Sequence, residues 1–578
     1  MKRKWSKASG LAALALSASL LVGCGGNAGT GNTESNSAGT KASASSEAVA
    51  TSEAAGGTEE AKVNAPGTFP ITNEKTELSM TIVQDNYVTD YENNGFLNWY
   101  EDKTNVHMNL EVLPQAGAEE KLSTKLAGMD LPDILCVTKL KNETLVAYGS
   151  QGVFMPLNDL IDQYAPHIKA VMEEYPYVLD SMVAPDGNIY NIPNIGGSLH
   201  GTMPKKGWIN KTWLDNLGLE VPETIDEFYE VLKAFKEQDA NGNGDPNDEI
   251  PYAGCTGANN EIEGYILQSF LPYLKGNYLM VTDGKVECAA TQEAYKEGLK
   301  YLNKLFEEGL IAQESFTMDR TALTALSENP DANLLGGANA LVYSHFVVDR
   351  GESGRYEEYV ALPPLKGPDG TCYVYDRGFT SNNLNFVITS SCENPEAAIR
   401  WIDEIWNGDD AMKLGYTPLM GEQGVGWDYV TDGRPDLVGD PADYEWLIPF
   451  GTKTSDHLSQ TLPAFYSEDY VNSQAATETN ELESMLLKVT KDMYEPYSAK
   501  DRYVPSMFFE TETLETYGDL NTQVSSVVEA YMVRFVTGEL DIDQGWDEYL
   551  NELKVAGLED YLNNTQETYD LNMSNKNK

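Results

Sequence analysis

Residues 77–83, ELSMTIV, place apolar side chains at Leu78, Met80 and Ile82. That is the period of two expected of a strand with one buried face. Helical spacing follows through Phe96, Trp99 and Tyr100, and VHMNLEVLP then alternates again at Val106, Met108, Leu110 and Val112. A helical stretch through Leu122 and Leu126 leads into the short apolar run DILCV, 133–137. Strand, helix, strand, helix, strand at this spacing predicts an α/β unit with a mainly parallel sheet. Such a sheet gathers its strand-end loops along one edge, and ligands of open α/β folds bind there.

The start of the chain carries an address. Lys2, Arg3, Lys4 and Lys7 precede an apolar run from Leu11 to Val22. A membrane-spanning helix needs about 20 apolar residues, so this shorter run reads as a secretory signal over 1–23. It ends in LVGC, Leu21 to Cys24, which resembles a bacterial lipobox, with Cys24 the lipid-bearing first residue after cleavage. From Gly25 to about Pro66 the chain holds Gly, Ser, Thr, Ala and Glu, and no aromatic residue. Such a segment cannot bury enough surface to offset its ordering entropy, so 24–67 is expected to be a disordered tether.

What remains is long for one domain and sufficient for two. The formal charge is −50, and removing the four positive side chains of the signal leaves about −54. Nucleic-acid binding, which needs positive charge to displace counterions, is excluded on that ground. Neutral polar ligands are the easiest to accommodate in such a field. Five cysteines follow Cys24, namely Cys136, Cys255, Cys288, Cys372 and Cys392, with no C-x-x-C pair. Zinc-ribbon and thioredoxin readings therefore fail. Cys372 and Cys392 are the nearest pair in sequence, and a bridge or two free thiols fit them equally.

Enzyme chemistry leaves no signature. H-E-x-x-H, G-x-S-x-G and the phosphate-binding G-x-x-x-x-G-K-[ST] are all missing. The five histidines, His107, His167, His200, His345 and His457, are widely spaced. A paired-carboxylate glycosidase has no motif to find, so that alternative stays open. One stretch suggests a metal: DANGNGDPNDEI, Asp239 to Ile250, opens like a calcium loop with Asp239, Asn241, Asn243 and Gly244. Position twelve is Ile250 where a bidentate glutamate is usual, and the carboxylates come early, at Asp248 and Glu249. An acidic Asn/Gly-rich turn without an ion is the alternative.

Several longer stretches carry a family resemblance. They are EKLSTKLAGMDLPDIL (120–135), MPLNDLIDQYAPHIKAVMEEYP (155–176), APDGNIYNIP (184–193) and WINKTWLDNLGLEVPETIDEFYEVLKAFKEQDANGNGDPNDEIP (208–251). NPEAAIRWIDEIWN and the closing GWDEYLNELKVAGLEDYL (545–562) complete the set. The chain resembles bacterial extracellular solute-binding proteins, family 1, the lipoprotein receptors of ABC importers. The resemblance implies two α/β lobes of the periplasmic-binding-protein-like type II clamp, joined by crossing strands, with ligand held between them. It places lobe one at 68–200, lobe two at 201–375, a lobe-one return segment at 376–495 and packing C-terminal helices at 496–578. It also implies a structural Ca²⁺ after the helix at 224–238, held by Asp239, Asn241, Asn243, Asp245 by its backbone carbonyl, Asp248 and Glu249. The loop is one residue longer than the family form.

The expected function is capture of a polar solute, above all an oligosaccharide, by a monomer that is lipid-anchored on the outer face of the cell membrane. Delivery would be to the permease subunits of an ABC importer, without catalysis. A peptide receptor, a surface glycoside-processing enzyme and a purely structural surface protein are the alternatives. Sugars need aromatic faces and hydrogen-bonding groups. The ligand-binding candidates are Asn86 and Tyr87 after the first strand, Lys139 after DILCV, Trp208 at the first crossing, and His345 and Phe346 after ANALVYSH. Arg377 and Asn383 at the return crossing and Trp427 in a glycine-rich loop complete the set.

Overall fold

A computed structural model describes residues 63–576, apart from 139, 380, 450, 451, 479, 508 and 510. The side chains of 143, 381–383, 511, 512, 515, 575 and 576 also lie outside the described set. The expected signal segment, Cys24 and the expected tether up to residue 62 therefore fall outside the described residues. The last tether positions do not stay loose: Val63 is buried, and Asn64 N–H donates to Ile71 O at 2.8 Å.

Strands β1 (Thr76–Val83), β2 (Val106–Leu113) and β3 (Ile134–Thr138) form where the alternation predicts them. β1 lies between the other two and is parallel to both, in a register running from Thr76↔Val106 to Val83↔Leu113 and from Met80↔Ile134. The crossovers are α1 (Gly95–Thr104) and α2 (Ala118–Gly128). Asn94 caps α1, accepting Leu97 N–H at 3.2 Å, and Phe96 and Tyr100 face the core.

Five further strands complete two sheets: β4 (Ile192–Ile195), β5 (Gly207–Asn210), β6 (Gly337–Asn339), β7 (Tyr359–Leu362) and β8 (Ser381–Ile388). The first sheet has the order β2-β1-β3-β8-β4, with β8 antiparallel to both neighbours, and the second has the order β6-β5-β7. The chain thus leaves lobe one after β4, builds lobe two, and returns through β8.

Lobe two is anchored by α3 (Ile225–Glu237) and α4 (Glu293–Glu307). A capping box opens α3. Thr224 Oγ1 accepts Glu227 N–H at 3.1 Å, and Glu227 Oε2 accepts Thr224 N–H at 3.2 Å. This pairing satisfies backbone donors that a helix start leaves open. Ile225, Phe228, Val231, Leu232 and Phe235 form its buried face.

In the return segment, α5 (Pro395–Trp406) is the central helix of lobe one, buried from Ala397 to Trp406. α6 (Glu481–Val489) departs from the sequence reading, which assigned 376–495 to lobe one. Its Leu486 packs with Trp208, Tyr343, Phe346 and Tyr359, so the helix belongs to lobe two. Three helices follow: α7 (Thr511–Val536), α8 (Ile542–Val555) and α9 (Leu558–Lys576). Their Val524, Phe535, Trp546, Tyr549 and Tyr561 join the lobe-two core. No helix among the described residues is long and apolar enough to cross a membrane. The five described cysteines are all free thiols, so Cys372 and Cys392 are not bridged.

The front of the packed chain is tied down by one buried charge. Arg400 on α5 has no exposed surface. Its Nη1 donates to the carbonyls of Asn64 at 2.7 Å and Ala65 at 3.0 Å, and its Nη2 to Thr68 O at 3.2 Å and Glu404 Oε1 at 2.6 Å. Next to it, burial pushes the Asp403 carboxyl up to about 7. Removing one partner of a buried ion pair leaves the other uncompensated and costs about 3–5 kcal/mol. Arg400→Met is expected to destabilise the protein by about that amount, read from the urea unfolding midpoint. A loss near zero would show that Glu404 finds another partner.

Candidate functional site

The carboxyl ends of β1, β2 and β3 open into a cavity of about 400 Å³. Because these strands are parallel, their loops converge on one edge of the sheet. Gln84 and Asp85 line the cavity after β1, Gln115 and Glu119 after β2, and Thr138 at the end of β3. Gln460 and Thr461 close it from the return segment, over an apolar floor that includes Val83, Leu113 and Val137. No lysine, arginine or histidine is among the described residues that line it. The wall is therefore a set of amides, carboxylates and hydroxyls over a hydrophobic base, the pattern of a site that orients a polar ligand through a few hydrogen bonds.

The return segment holds the loop after β1 in place. Thr454 N–H donates to Tyr87 O and Thr89 N–H to Thr454 O, both at 3.0 Å. Gly95 N–H donates to Ser455 O at 2.8 Å. Tyr91 Oη accepts Asp85 N–H at 2.8 Å and lies 3.4 Å from Thr461 Oγ1. Burial pushes the Tyr91 phenol up, so it stays protonated. Asp85 Oδ1 accepts Tyr87 N–H at 2.7 Å, and Cys136 Sγ donates to Thr461 O at 3.4 Å.

The sequence candidates divide in this frame. Asn86, exposed, and Tyr87, half-buried, belong to the loop that carries Asp85. Lys139 lies outside the described residues, as does the side chain of Asn383 on β8. Arg377 is exposed on the return crossing, and its Nε donates to Gly201 O at 3.0 Å. His345 is half-buried in lobe two. Burial, with Arg320 nearby, pushes its imidazole down to about 4, so it is neutral at pH 7.

Three aromatic candidates are consumed by packing. Trp427 is fully buried, with Nε1 donating to Gly421 O at 3.1 Å. Phe346 is fully buried edge-on to Tyr359. Trp208 donates from Nε1 to Ala340 O at 3.0 Å and stands edge-on to Tyr343, at the base of a second cavity of about 420 Å³ on lobe two.

Gln115, Glu119, Gln460 and Thr461 were not singled out from sequence. Gln115 follows a predicted strand, and the strand-end rule that points to Asn86 and Tyr87 would also point to it. Gln460 and Thr461 lie in an irregular run whose pattern carries no such signal.

The loop after α3 is stitched by its own side chains. Asn241 Nδ2 and Asn243 Nδ2 donate to the two Asp248 oxygens at 3.0 and 2.7 Å. Asn243 Oδ1 accepts Asp245 N–H at 2.7 Å, and the Asp245 carboxylate turns to Asn247. Asp239 Oδ2 accepts Gly244 N–H, and Glu249 Oε1 accepts Ala240 N–H, each at 2.9 Å. The second oxygens, Asp239 Oδ1 and Glu249 Oε2, are buried and accept no hydrogen bond. Burial also pushes the Glu249 carboxyl up. Two desolvated and unpaired carboxylate oxygens are costly unless a cation answers them, so the residues fit a metal. No cluster of three or more His, Cys, Asp or Glu that could hold a metal occurs among the described residues. Further ligands would have to be amide and carbonyl oxygens, which calcium accepts.

Two lobes joined by crossing segments, with a polar cavity at the strand ends, have the form of a solute receptor. The chain belongs to the bacterial extracellular solute-binding protein family, whose model matches residues 82–405. A relative, the fructooligosaccharide ABC transporter substrate-binding protein FusA of Streptococcus pneumoniae serotype 4, is 30% identical over 527 residues, 88% of this chain and 93% of its own. FusA structures with kestose and, as an EF-hand mutant, with fructo-nystose give TM-scores of 0.71 and 0.70 at 27% identity. Each covers 86% of this chain and 100% of its own. An HMO-binding, ABC-transporter-associated solute-binding protein from Bifidobacterium longum infantis shares the fold, with a TM-score of 0.73 at 21% identity, covering 86% of this chain and 99% of its own.

The hydroxyl of Tyr91 is the joint between Asp85 and Thr461. Tyr91→Phe leaves the Asp85 N–H without its partner and is expected to cost about 1 kcal/mol of stability. A urea titration with an unchanged slope and a lower midpoint would register it, and an unshifted midpoint would show that the loop is held by Thr454 alone.

Proposed function

We propose that this protein captures a neutral oligosaccharide at the carboxyl edge of the lobe-one sheet and passes it to the permease subunits of an ABC importer. The observation that carries the reading is the cavity wall: Gln84, Gln115, Gln460, Asp85, Glu119, Thr138 and Thr461, with no described cation among them. Such groups match ring hydroxyls, whereas a carboxylated sugar would meet Asp85, Glu119 and a chain of net charge −50. FusA, whose name and bound kestose point to fructooligosaccharides, supports the class. The protein acts as a monomer anchored on the outer membrane face through lipid on Cys24, in keeping with LVGC and with the lipoprotein LipO of Bacillus subtilis, 23% identical over 473 residues.

We further propose that the 239–249 loop holds Ca²⁺ as a structural ion, through Asp239 and Glu249 with oxygens from the Asn241 and Asn243 side chains. It follows α3, away from the lobe-one strand ends, so its contribution is to the stability of lobe two. The EF-hand of FusA, mutated in its fructo-nystose complex, supports this reading.

A thermal-shift screen against fructo-, gluco- and uronic-acid oligosaccharides and short peptides tests the first proposal. A ligand at a hundred times its Kd adds about 2.7 kcal/mol, so the cognate neutral glycan should raise Tm visibly and uronates should not. A response to peptides alone would overturn it. For the ion, chelation is expected to lower Tm while glycan binding survives. Elemental analysis without calcium, together with a chelator-insensitive melt, would remove the ion from the account.

A further inference from the structure

The first crossing between the lobes is more tightly held than a free connector needs to be. It begins at Gly196 and Gly197, and Gly197 passes so close to the return segment that a Cβ would lie 2.3 Å from the carbonyl oxygens of Tyr466 and Ser467. Directly beyond it, Ser198 Oγ donates to Glu483 Oε1 at 2.5 Å, and His200 Nε2 meets Glu483 Oε2 at 2.9 Å. Lys206, wholly buried, donates from Nζ to the carbonyls of His200 at 3.0 Å and Met203 at 2.5 Å. The same ammonium lies 5.3 Å from the centre of the Tyr494 ring. Attraction to Glu483 works against the burial that lowers Lys206 to about 7.

Glu483 belongs to α6, which starts just after the chain has crossed between the lobes for the third time and is seated on lobe two by Leu486. One carboxylate therefore fastens the first crossing to the root of the third. The Glu483 carboxyl itself is raised by burial, but His200, Ser198 and Lys206 outweigh this and hold it below its ordinary range. In this arrangement α7, whose body packs in lobe two, also meets the lobe-one helix Asn142–Ser150, so the lobes touch beyond their crossings.

We propose that Glu483 is a hinge-positioning residue, which fixes the crossing segment beyond Gly196–Gly197 and so sets the balance between lobe arrangements on which ligand affinity depends. It lines neither the lobe-one cavity nor the calcium loop. Its effect runs through the fraction of molecules competent to bind, since apparent Kd is the intrinsic value divided by that fraction. The inference rests on the receptor reading above, but one of its readouts needs no ligand.

The test compares wild type with Glu483→Gln and Ser198→Ala, using calorimetric Kd for each glycan that binds and small-angle scattering of the ligand-free protein. Glu483→Gln keeps the side-chain shape and loses the charge. It is expected to raise Kd at least fivefold, by the same factor for every glycan, with a larger ligand-free radius of gyration that ligand saturation restores. Ser198→Ala should shift both readouts in the same direction by less. Unchanged Kd and radius in Glu483→Gln would overturn the proposal. A factor that differs from glycan to glycan would also overturn it, by making Glu483 a ligand contact. Were wild type to bind no glycan, the ligand-free radius alone would decide: a change upholds the hinge role, and no change ends it.

Discussion

Strand β8 enters lobe one between β3 and β4, pairing Leu384 with Thr138 on one side and Phe386 with Ile192 on the other. Everything between β4 and β8 in sequence is lobe two. Without β8 the edges of β3 and β4 would stand open, and a buried edge with unpaired N–H and C=O groups is costly. The sheet is therefore complete only when the chain has gone out to lobe two and come back. That requirement ties the lobes together and fixes two of the crossings next to the binding edge.

The same return supplies the walls of the site. The run from Thr454 to Thr461 fixes the loop after β1 by backbone hydrogen bonds, and Tyr91 joins Asp85 to Thr461. A ligand bound in this cavity, as proposed, would meet polar groups already held in position, which lowers the ordering cost of binding. Lobe two uses its stabilising devices elsewhere: the capping box of α3 and the aromatic packing of the C-terminal helices. Cavity, lobe-two packing and inter-lobe crossing are separate parts, and the Glu483 contact is where the last meets α6.

Much of this was legible in the chain, for identifiable reasons. The strands at 76–83 and 106–113 follow period-two alternation, that at 134–138 follows a short apolar run, and α3 follows from Thr224, Glu227 and a helical apolar stripe. Asn86 and Tyr87 stand out in the sequence because a polar run directly after a strand has no obvious packing duty, and the structure places them on the loop that carries Asp85. The sequence leaves the burial of Trp208, Phe346 and Trp427 open, because an aromatic near a crossing or a glycine-rich loop reads the same whether its ring faces a ligand or the core. α6 was assigned to the wrong lobe because its amphipathic face does not say which core it covers.

By itself, then, the sequence determined the α/β class, the family, the acidic field that disfavours anionic ligands and the loop after α3, because each depends on local pattern or on summed charge. The tertiary structure alone decided that Gln460 and Thr461 face Asp85, that Arg400 reaches back to Asn64, and that Glu483 grips Ser198 and His200. These contacts join residues roughly 285 to 375 positions apart. No periodicity spans such a distance, so the return of the chain through β8 and, for Glu483, the third crossing into lobe two bring them together.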